Sequence, residues 1–166
     1  MDILKLSMEW AKDEILSSKF FILFGLLFLF GALGFWQMGK TELAKAFITP
    51  LLVCGTLLFI IGVGLLYSNT TRIHSFEKDH QVSKENFISA EIARADKTVG
   101  EFELIVFKVI PLIIVVCCFG IIFLHQPFWR AICIVTIAMM VVILLVDNHS
   151  YMRIKEYKRK LVLFEK

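Results

Sequence analysis

Four long apolar blocks constrain the fold of this chain more than any other feature of its sequence. They predict membrane crossings at about residues 20–37, 48–67, 108–124 and 128–146. A run of eighteen or more apolar residues with almost no charge is long enough to cross the hydrocarbon core of a bilayer. With 58% hydrophobic residues, the composition is also far from that of an average soluble domain. The sequence therefore predicts an all-α membrane protein with four transmembrane helices in two hairpins.

The distribution of positive charge predicts which side of the membrane each polar segment faces. Of the 18 lysines and arginines, all but Lys40, Lys45 and Arg130 lie in the N-terminal, central and C-terminal segments. Those three lie at the predicted hairpin tips. Positively charged residues concentrate in cytoplasmic segments of membrane proteins. We therefore expect both termini and the central segment to be cytoplasmic, in a bacterial inner membrane.

The polar segments are expected to be helical as well. Near the N-terminus, Leu4, Met8, Ala11 and Ile15 share one helical face, and charged residues occupy the other. This pattern predicts an amphipathic helix lying in the headgroup region. The chain thus divides into an interfacial helix (1–19), a first transmembrane hairpin (20–67), a cytoplasmic helical segment (68–106), a second transmembrane hairpin (107–147) and a basic cytoplasmic tail (148–166).

The central segment carries a narrow apolar stripe with alternating spacings of four and three residues. Such a stripe is typical of a helix that packs along another helix. The stripe consists of Ile88, Ile92, Ala95, Val99 and Phe102. Two interpretations follow: the stripe packs against the chain's own N-terminal or C-terminal helix, or it binds a separate protein. We treat these five residues as candidate partner-binding residues.

Two residues predict irregularities in this helix. Ser83 is a suitable N-cap for a helix that begins near Lys84, since its hydroxyl can accept from backbone N–H groups of the first turn. Pro111 clashes with the carbonyl group four residues earlier and lacks its own N–H donor. A kink or break is therefore expected between Phe107 and Pro111.

Small residues recur every seven positions along the first two spans. They allow helix backbones to approach closely, so we expect these spans to pack as a tight left-handed pair. The candidate helix-packing residues are Gly25, Ala32, Gly55 and Gly62.

No motif in the chain predicts catalysis, a cofactor or a metal. The predicted spans contain no ionisable residue at mid-depth, where such groups mark ion or proton pathways. The four cysteines lie in apolar blocks and are expected to be packing thiols. The group formed by His74, Glu77, Asp79 and His80 matches no standard zinc spacing. An enzymatic site would require a polar pocket that brings together His74, His80, Asp147 and His149.

The C-terminal tail ends with a cluster of positive charge at Lys158, Arg159 and Lys160. Beside a bilayer, such a cluster attracts anionic headgroups with about 1 kcal/mol per charge. We therefore expect these three residues to contact lipid and not nucleic acid.

These features favour a non-enzymatic membrane protein that acts through contacts with proteins. In size, number of spans and cytoplasmic termini, the chain is similar to the immunity proteins of some pore-forming colicins. The resemblance implies protection against a membrane-acting toxin, but no motif carries it, so it assigns no residue a function. A subunit of a membrane assembly fits the same features. The alternative is a small oligomeric transporter or channel. The expected partners are the lipid bilayer and another membrane or cytoplasmic protein, or a second copy of the chain.

Overall fold

The computed structural model describes residues 3–165, without the side chains of Glu77 and Glu165. Its regular structure in that range is entirely helical. The helices are α1 (Ile3–Met38), α2 (Glu42–Ala46), α3 (Ile48–Val82), α4 (Lys84–Leu104), a π-helical segment π1 (Ile105–Val109), α5 (Ile110–Phe123) and α6 (Pro127–Glu165). Residues 1, 2 and 166 of the predicted terminal segments lie outside the described range.

Four helical stretches are long and apolar enough to cross a membrane, which confirms that part of the prediction. They are Ile3–Met38, Glu42–Val82, Lys84–Phe123 and Pro127–Phe164. Each is much longer than the roughly 20 residues that a bilayer requires. Each helix therefore extends well beyond its predicted span.

The N-terminal segment differs from the prediction of a separate interfacial helix. Helix α1 continues without interruption through Lys19 and Phe20, and no proline or glycine in this region would end it. Much of the apolar face that was expected to meet headgroups is covered by protein, since Ala11 is buried and Leu4 and Met8 pack against the same core. The first 17 residues described in α1 are thus an extension of the first predicted span.

The helix extensions form a second structural unit, which we call the extramembrane bundle. It comprises residues 3–19 of α1, 68–82 of α3, all of α4 and residues 148–165 of α6. Its buried core contains Ile3, Leu6, Trp10, Ala11, Phe76, Phe87, Ile88, Ala95, Ile154, Tyr157 and Leu161. Because the core draws on all four helices, the bundle holds one end of each predicted span in a fixed arrangement.

The apolar stripe of α4 lies inside this bundle. Ile88 and Ala95 are buried in its core, and Ile92, Val99 and Phe102 pack against that core. Helix α4 makes its most extensive contacts with α6. The stripe therefore packs against the chain's own helices in this structure, with Ile92, Val99 and Phe102 half-buried; binding of a separate protein through these residues stays a prediction.

The two irregularities predicted around α4 are both present in the structure. Helix α4 begins at Lys84, and the Ser83 hydroxyl accepts a hydrogen bond from the backbone N–H of Asn86. Near Pro111, the helix widens into π1, where the N–H of Ile110 donates to the carbonyl of Ile105. The wider turn accommodates the proline without the expected break in the helix.

Helices α1 and α3 approach each other closely at the small residues of the first two spans. A Cβ atom built on Gly25 would lie 2.7 Å from the backbone nitrogen of Phe59. One built on Gly55 would lie 3.0 Å from the carbonyl oxygen of Gly25, and one on Gly62 would lie 2.7 Å from the nitrogen of Ile22. Ala32 is also buried. The backbones therefore pack too closely for a larger residue at these glycines.

Candidate functional site

Two groups of buried polar residues cross the extramembrane bundle, and both combine residues from distant parts of the chain. The first, called the aromatic–ion cluster, lies within the bundle core and consists of Ser7, Trp10, Arg72, Glu91, Arg94 and Tyr157. The second, called the junction layer, lies where the bundle meets the predicted spans and consists of Glu14, Ser17, Ser18, Asn69, Asp147, Ser150 and Arg153.

A stacked aromatic pair forms the centre of the aromatic–ion cluster. The rings of Trp10 and Tyr157 are 5.1 Å apart and nearly parallel. The guanidinium carbon of Arg94 lies 4.4 Å from the centroid of the Trp10 ring, and that of Arg72 lies 5.5 Å from it. Cations over a tryptophan face are attracted by its quadrupole, and more strongly when they are desolvated.

The carboxylate of Glu91 connects the ions of this cluster to the aromatic pair. Only 7% of Glu91 is exposed. Its two oxygens accept from Nε and Nη2 of Arg94, at 3.0 and 2.6 Å. It also accepts from the Tyr157 hydroxyl at 2.9 Å, and the Ser7 hydroxyl is 2.8 Å from that hydroxyl. The Glu91–Arg94 ion pair is therefore satisfied inside the cluster, as buried ion pairs require, whereas Nε1 of Trp10 is buried there without a hydrogen-bond partner among the described residues.

The same environment determines the protonation of the cluster. Burial and the negative charge of Glu91 raise the pKa of Tyr157 above its ordinary value. The tyrosine consequently stays protonated and serves as a hydrogen-bond donor. Burial and the neighbouring charge of Arg94 lower the pKa of Arg72. Both pKa shifts thus follow from burial and from the charges that the bundle core brings together.

Arg153 organises the junction layer. It makes an ion pair with Glu14, with 3.2 Å between Nη2 and Oε1, and donates to the hydroxyl of Ser150 at 3.1 Å. It also contacts the hydroxyl of Ser17, which accepts from Ser150. These contacts link α1 to α6 across more than 130 positions of sequence.

A cavity of about 290 Å³ lies beside the junction layer, and we call it the junction cavity. Residues of α1, α3, α4 and α6 line it. Its polar wall includes the carboxyl groups of Glu14 and Asp147 and the amide of Asn69. Asp147 also lines a second cavity of about 160 Å³ next to π1. Asp147, at the end of the fourth predicted span, thus borders both cavities.

The histidines and acids that were considered in the sequence do not meet at one described site. Within the part of the chain that the structure describes, no group of three His, Cys, Asp or Glu side chains could hold a metal ion. The side chain of Glu77, which belonged to the predicted group, lies outside the described residues. The two cavities that Asp147 lines contain none of His74, His80 and His149. The pocket that an enzyme would require at these four residues is therefore not formed there.

The basic cluster of the tail has partners in the bundle. Lys158 forms an ion pair with Asp96 of α4, and Arg159 and Lys160 pair with Glu156. Because α6 is one continuous helix, Lys158 lies about 18 Å along its axis beyond Val146. That is about twice the Debye length at physiological salt. Contact of these three residues with lipid headgroups stays a prediction, and it requires α6 to lie tilted towards the membrane surface.

The junction layer was missed by reasoning from sequence alone. Its local signal is a spacing of three or four residues among small polar residues just outside the apolar blocks. Glu14, Ser17 and Ser18 precede the first block, and Ser150 and Arg153 follow the last. The same residues are compatible with a solvated helix end, so only their contact across the fold identifies them.

Comparison of the chain with protein-family models, curated proteins and solved structures finds no match.

Proposed function

We propose that this protein is a non-enzymatic component of a bacterial inner membrane, with both termini in the cytoplasm, that acts by binding another protein. The observation that supports this proposal best is the extramembrane bundle. All four long helices contribute to its core, and its buried polar groups are largely paired with one another. Such a bundle presents a stable surface at the membrane without any catalytic arrangement of its own.

The surface that we assign to the partner is an open groove along the outer face of α6. It has a volume of about 640 Å³ and is lined by Met152, Lys155, Glu156, Lys158, Arg159, Val162 and Leu163. Met152 and Leu163 are both largely exposed. Exposed apolar residues beside a surplus of one charge, here three cations to one carboxylate, are typical of a protein-binding site. The groove therefore fits a partner segment that combines apolar and acidic residues, in place of the α4 stripe expected from sequence.

Protection against a membrane-acting toxin and participation in a membrane assembly are two forms of this function. A small oligomeric transporter or channel remains the alternative. Transport would require a polar path along the spans, whereas the Thr56 hydroxyl donates to the carbonyl of Leu52 within its own helix. That hydrogen bond favours the binding function.

Photo-crosslinking in cells tests the proposal. A photoreactive residue at Leu163 should yield a discrete adduct with one protein. The same residue at Val82, which is even more exposed at the end of α3 (85% against 70%), should not. Combining the probe at Leu163 with Lys155→Glu and Arg159→Glu should abolish the adduct by reversing the charge of the groove. Equal labelling at both positions, or an adduct unaffected by charge reversal, would exclude this groove as the contact surface.

A further inference from the structure

The junction cavity lies at the depth where the predicted spans end. Phe21, Leu65 and Ile143 line its apolar side and belong to three different spans, whereas Asn69, Asp147 and Ser150 line its polar side. In a membrane, this places the cavity near the level of the lipid headgroups. Its volume of about 290 Å³ is close to the lower limit for small-molecule sites, about 300 Å³.

One wall of the cavity carries a carboxylate without a cation. Glu14 is paired with Arg153, but Asp147 makes no hydrogen bond or ion pair with any described residue. A partly buried carboxylate is costly unless a cation or a hydrogen-bond donor compensates it. Asp147 therefore provides the cavity with a carboxyl group that no cation among the described residues compensates, and a bound cation would hold it in the ionised form.

Another wall carries a donor without an acceptor. Asn69 is only 6% exposed, and its Oδ1 accepts from Nη1 of Arg72 at 3.4 Å. Its amide nitrogen has no hydrogen-bond partner among the described residues. Asn69 itself lines the cavity, so this nitrogen is free to donate to a bound group. Arg72 and Arg153, which contact Asn69 and Ser150, place positive charge behind this part of the cavity.

A ligand that satisfies both walls must combine a cationic donor with an anionic acceptor. We propose that the junction cavity binds a primary ammonium group carried on a phosphate ester, with Asp147 as its counter-ion and the Asn69 amide donating to a phosphate oxygen. A bare metal ion would satisfy Asp147 but would face the N–H groups of Asn69. The same chemistry occurs in the headgroup of phosphatidylethanolamine and in soluble phosphoethanolamine.

The test uses the full-length protein in nanodiscs or detergent and compares lipids that differ only in methylation of the ammonium group. Native mass spectrometry should show that phosphatidylethanolamine is retained about tenfold more than phosphatidylcholine, which has no N–H to donate to Asp147. Retention should fall stepwise with the monomethyl and dimethyl lipids. Equal retention across this series in the wild-type protein would overturn the proposal without any variant.

Single-residue variants then test which side chains bind the ammonium and phosphate groups. Asp147→Asn should abolish the preference, and Asn69→Ala should weaken retention of phosphatidylethanolamine several-fold. Glu103→Gln removes an exposed carboxylate at a similar level of the bundle and should change nothing. If Asp147→Asn fails to fold, Asp147→Glu should fold and retain the preference. A preference that survives in Asp147→Asn would show that the ammonium group binds elsewhere.

A separate measurement identifies the source of the ligand. Thermal unfolding is followed in detergent with added phosphoethanolamine, and with phosphocholine as the control. Stabilisation by phosphoethanolamine alone would indicate a soluble ligand, whereas lipid retention without this stabilisation would indicate a membrane lipid. The absence of both effects would exclude the proposed site.

Discussion

Glu91 shows how a charge can be buried in the extramembrane bundle. Its carboxylate is held between Arg94, on its own helix, and Tyr157, on α6. Trp10 of α1 stacks on that tyrosine and carries the guanidinium of Arg94 over its ring. A buried ion pair seldom adds net stability, but removal of one partner leaves the other uncompensated. We therefore expect the cluster to specify how α1, α4 and α6 associate.

Replacement of Glu91 provides the first prediction at the residue scale. Glu91→Ala leaves Arg94 and the Tyr157 hydroxyl without their acceptor, so the free energy of unfolding should fall by about 3 kcal/mol. Chemical unfolding in detergent, followed by circular dichroism, measures this change. Glu101→Gln is the matched control, because its ion pair with Lys97 is exposed and should contribute less than about 1 kcal/mol. Similar effects in the two variants would mean that the cluster does not stabilise the bundle.

Tyr157 provides the second prediction, which concerns pH. Burial raises the pKa of Tyr157 in the folded protein above its unfolded value of about 10. The stability that this shift contributes is fully present below pH about 10 and is lost as the pH rises further, because the unfolded chain then releases the proton more readily. Tyr157→Phe should therefore unfold with a weaker dependence on alkaline pH than the wild type.

The control for this pH dependence is Tyr67→Phe, since Tyr67 is 75% exposed. Its removal should leave the alkaline loss of stability unchanged. The same unfolding measurement, repeated over a pH series, compares the three proteins. An identical pH profile in the wild type and Tyr157→Phe would contradict the assignment of a buried, protonated tyrosine.

At the scale of elements, the glycines of α1 and α3 determine how closely the first two spans pack. Gly25→Ala would place a methyl group against the backbone of Phe59, which cannot move aside as a flexible side chain can. Overpacking of this kind costs about 1–3 kcal/mol. Unfolding from lipid micelles with increasing SDS should show this loss.

Gly34 offers the matched control on the same helix, because a Cβ atom there would meet nothing within 4 Å. Gly34→Ala should be neutral, or should stabilise the helix by up to about 1 kcal/mol through improved helix propensity. If Gly34→Ala lowers stability as much as Gly25→Ala does, the loss comes from a property of the helix other than close packing.

Local features of the sequence predicted which helices exist more successfully than where those helices begin and end. Hydropathy located four apolar helices, Ser83 located the start of α4, and Pro111 located the irregularity that the structure resolves as π1. The continuity of α1 was not predictable in this way. Ser17 and Ser18 resemble the polar end of a span, and only the distant residues Ser150 and Arg153 make a continuous buried helix favourable there.

At the scale of the whole molecule, the remaining prediction concerns the side on which the bundle lies. The buried core of the bundle joins the N-terminal segment, residues 68–82 of α3, α4 and the end of α6 on one side of the four apolar stretches. Fifteen of the 18 lysines and arginines lie in these segments or, for Lys108, in π1 directly after α4. From the positive-inside tendency we therefore predict that the whole bundle lies in the cytoplasm.

Reporter fusions in a bacterial host measure this orientation. A green fluorescent protein joined after Lys166 should fluoresce, since it folds in the cytoplasm, and alkaline phosphatase at the same position should be inactive. Phosphatase inserted between Gln126 and Pro127, at the opposite end of α6, should be active. Because the bundle core joins α1, α4 and α6, these segments cannot lie on different sides. An active phosphatase at the C-terminus would therefore mean that the entire molecule has the opposite orientation. The α6 groove would then face a partner outside the cytoplasm.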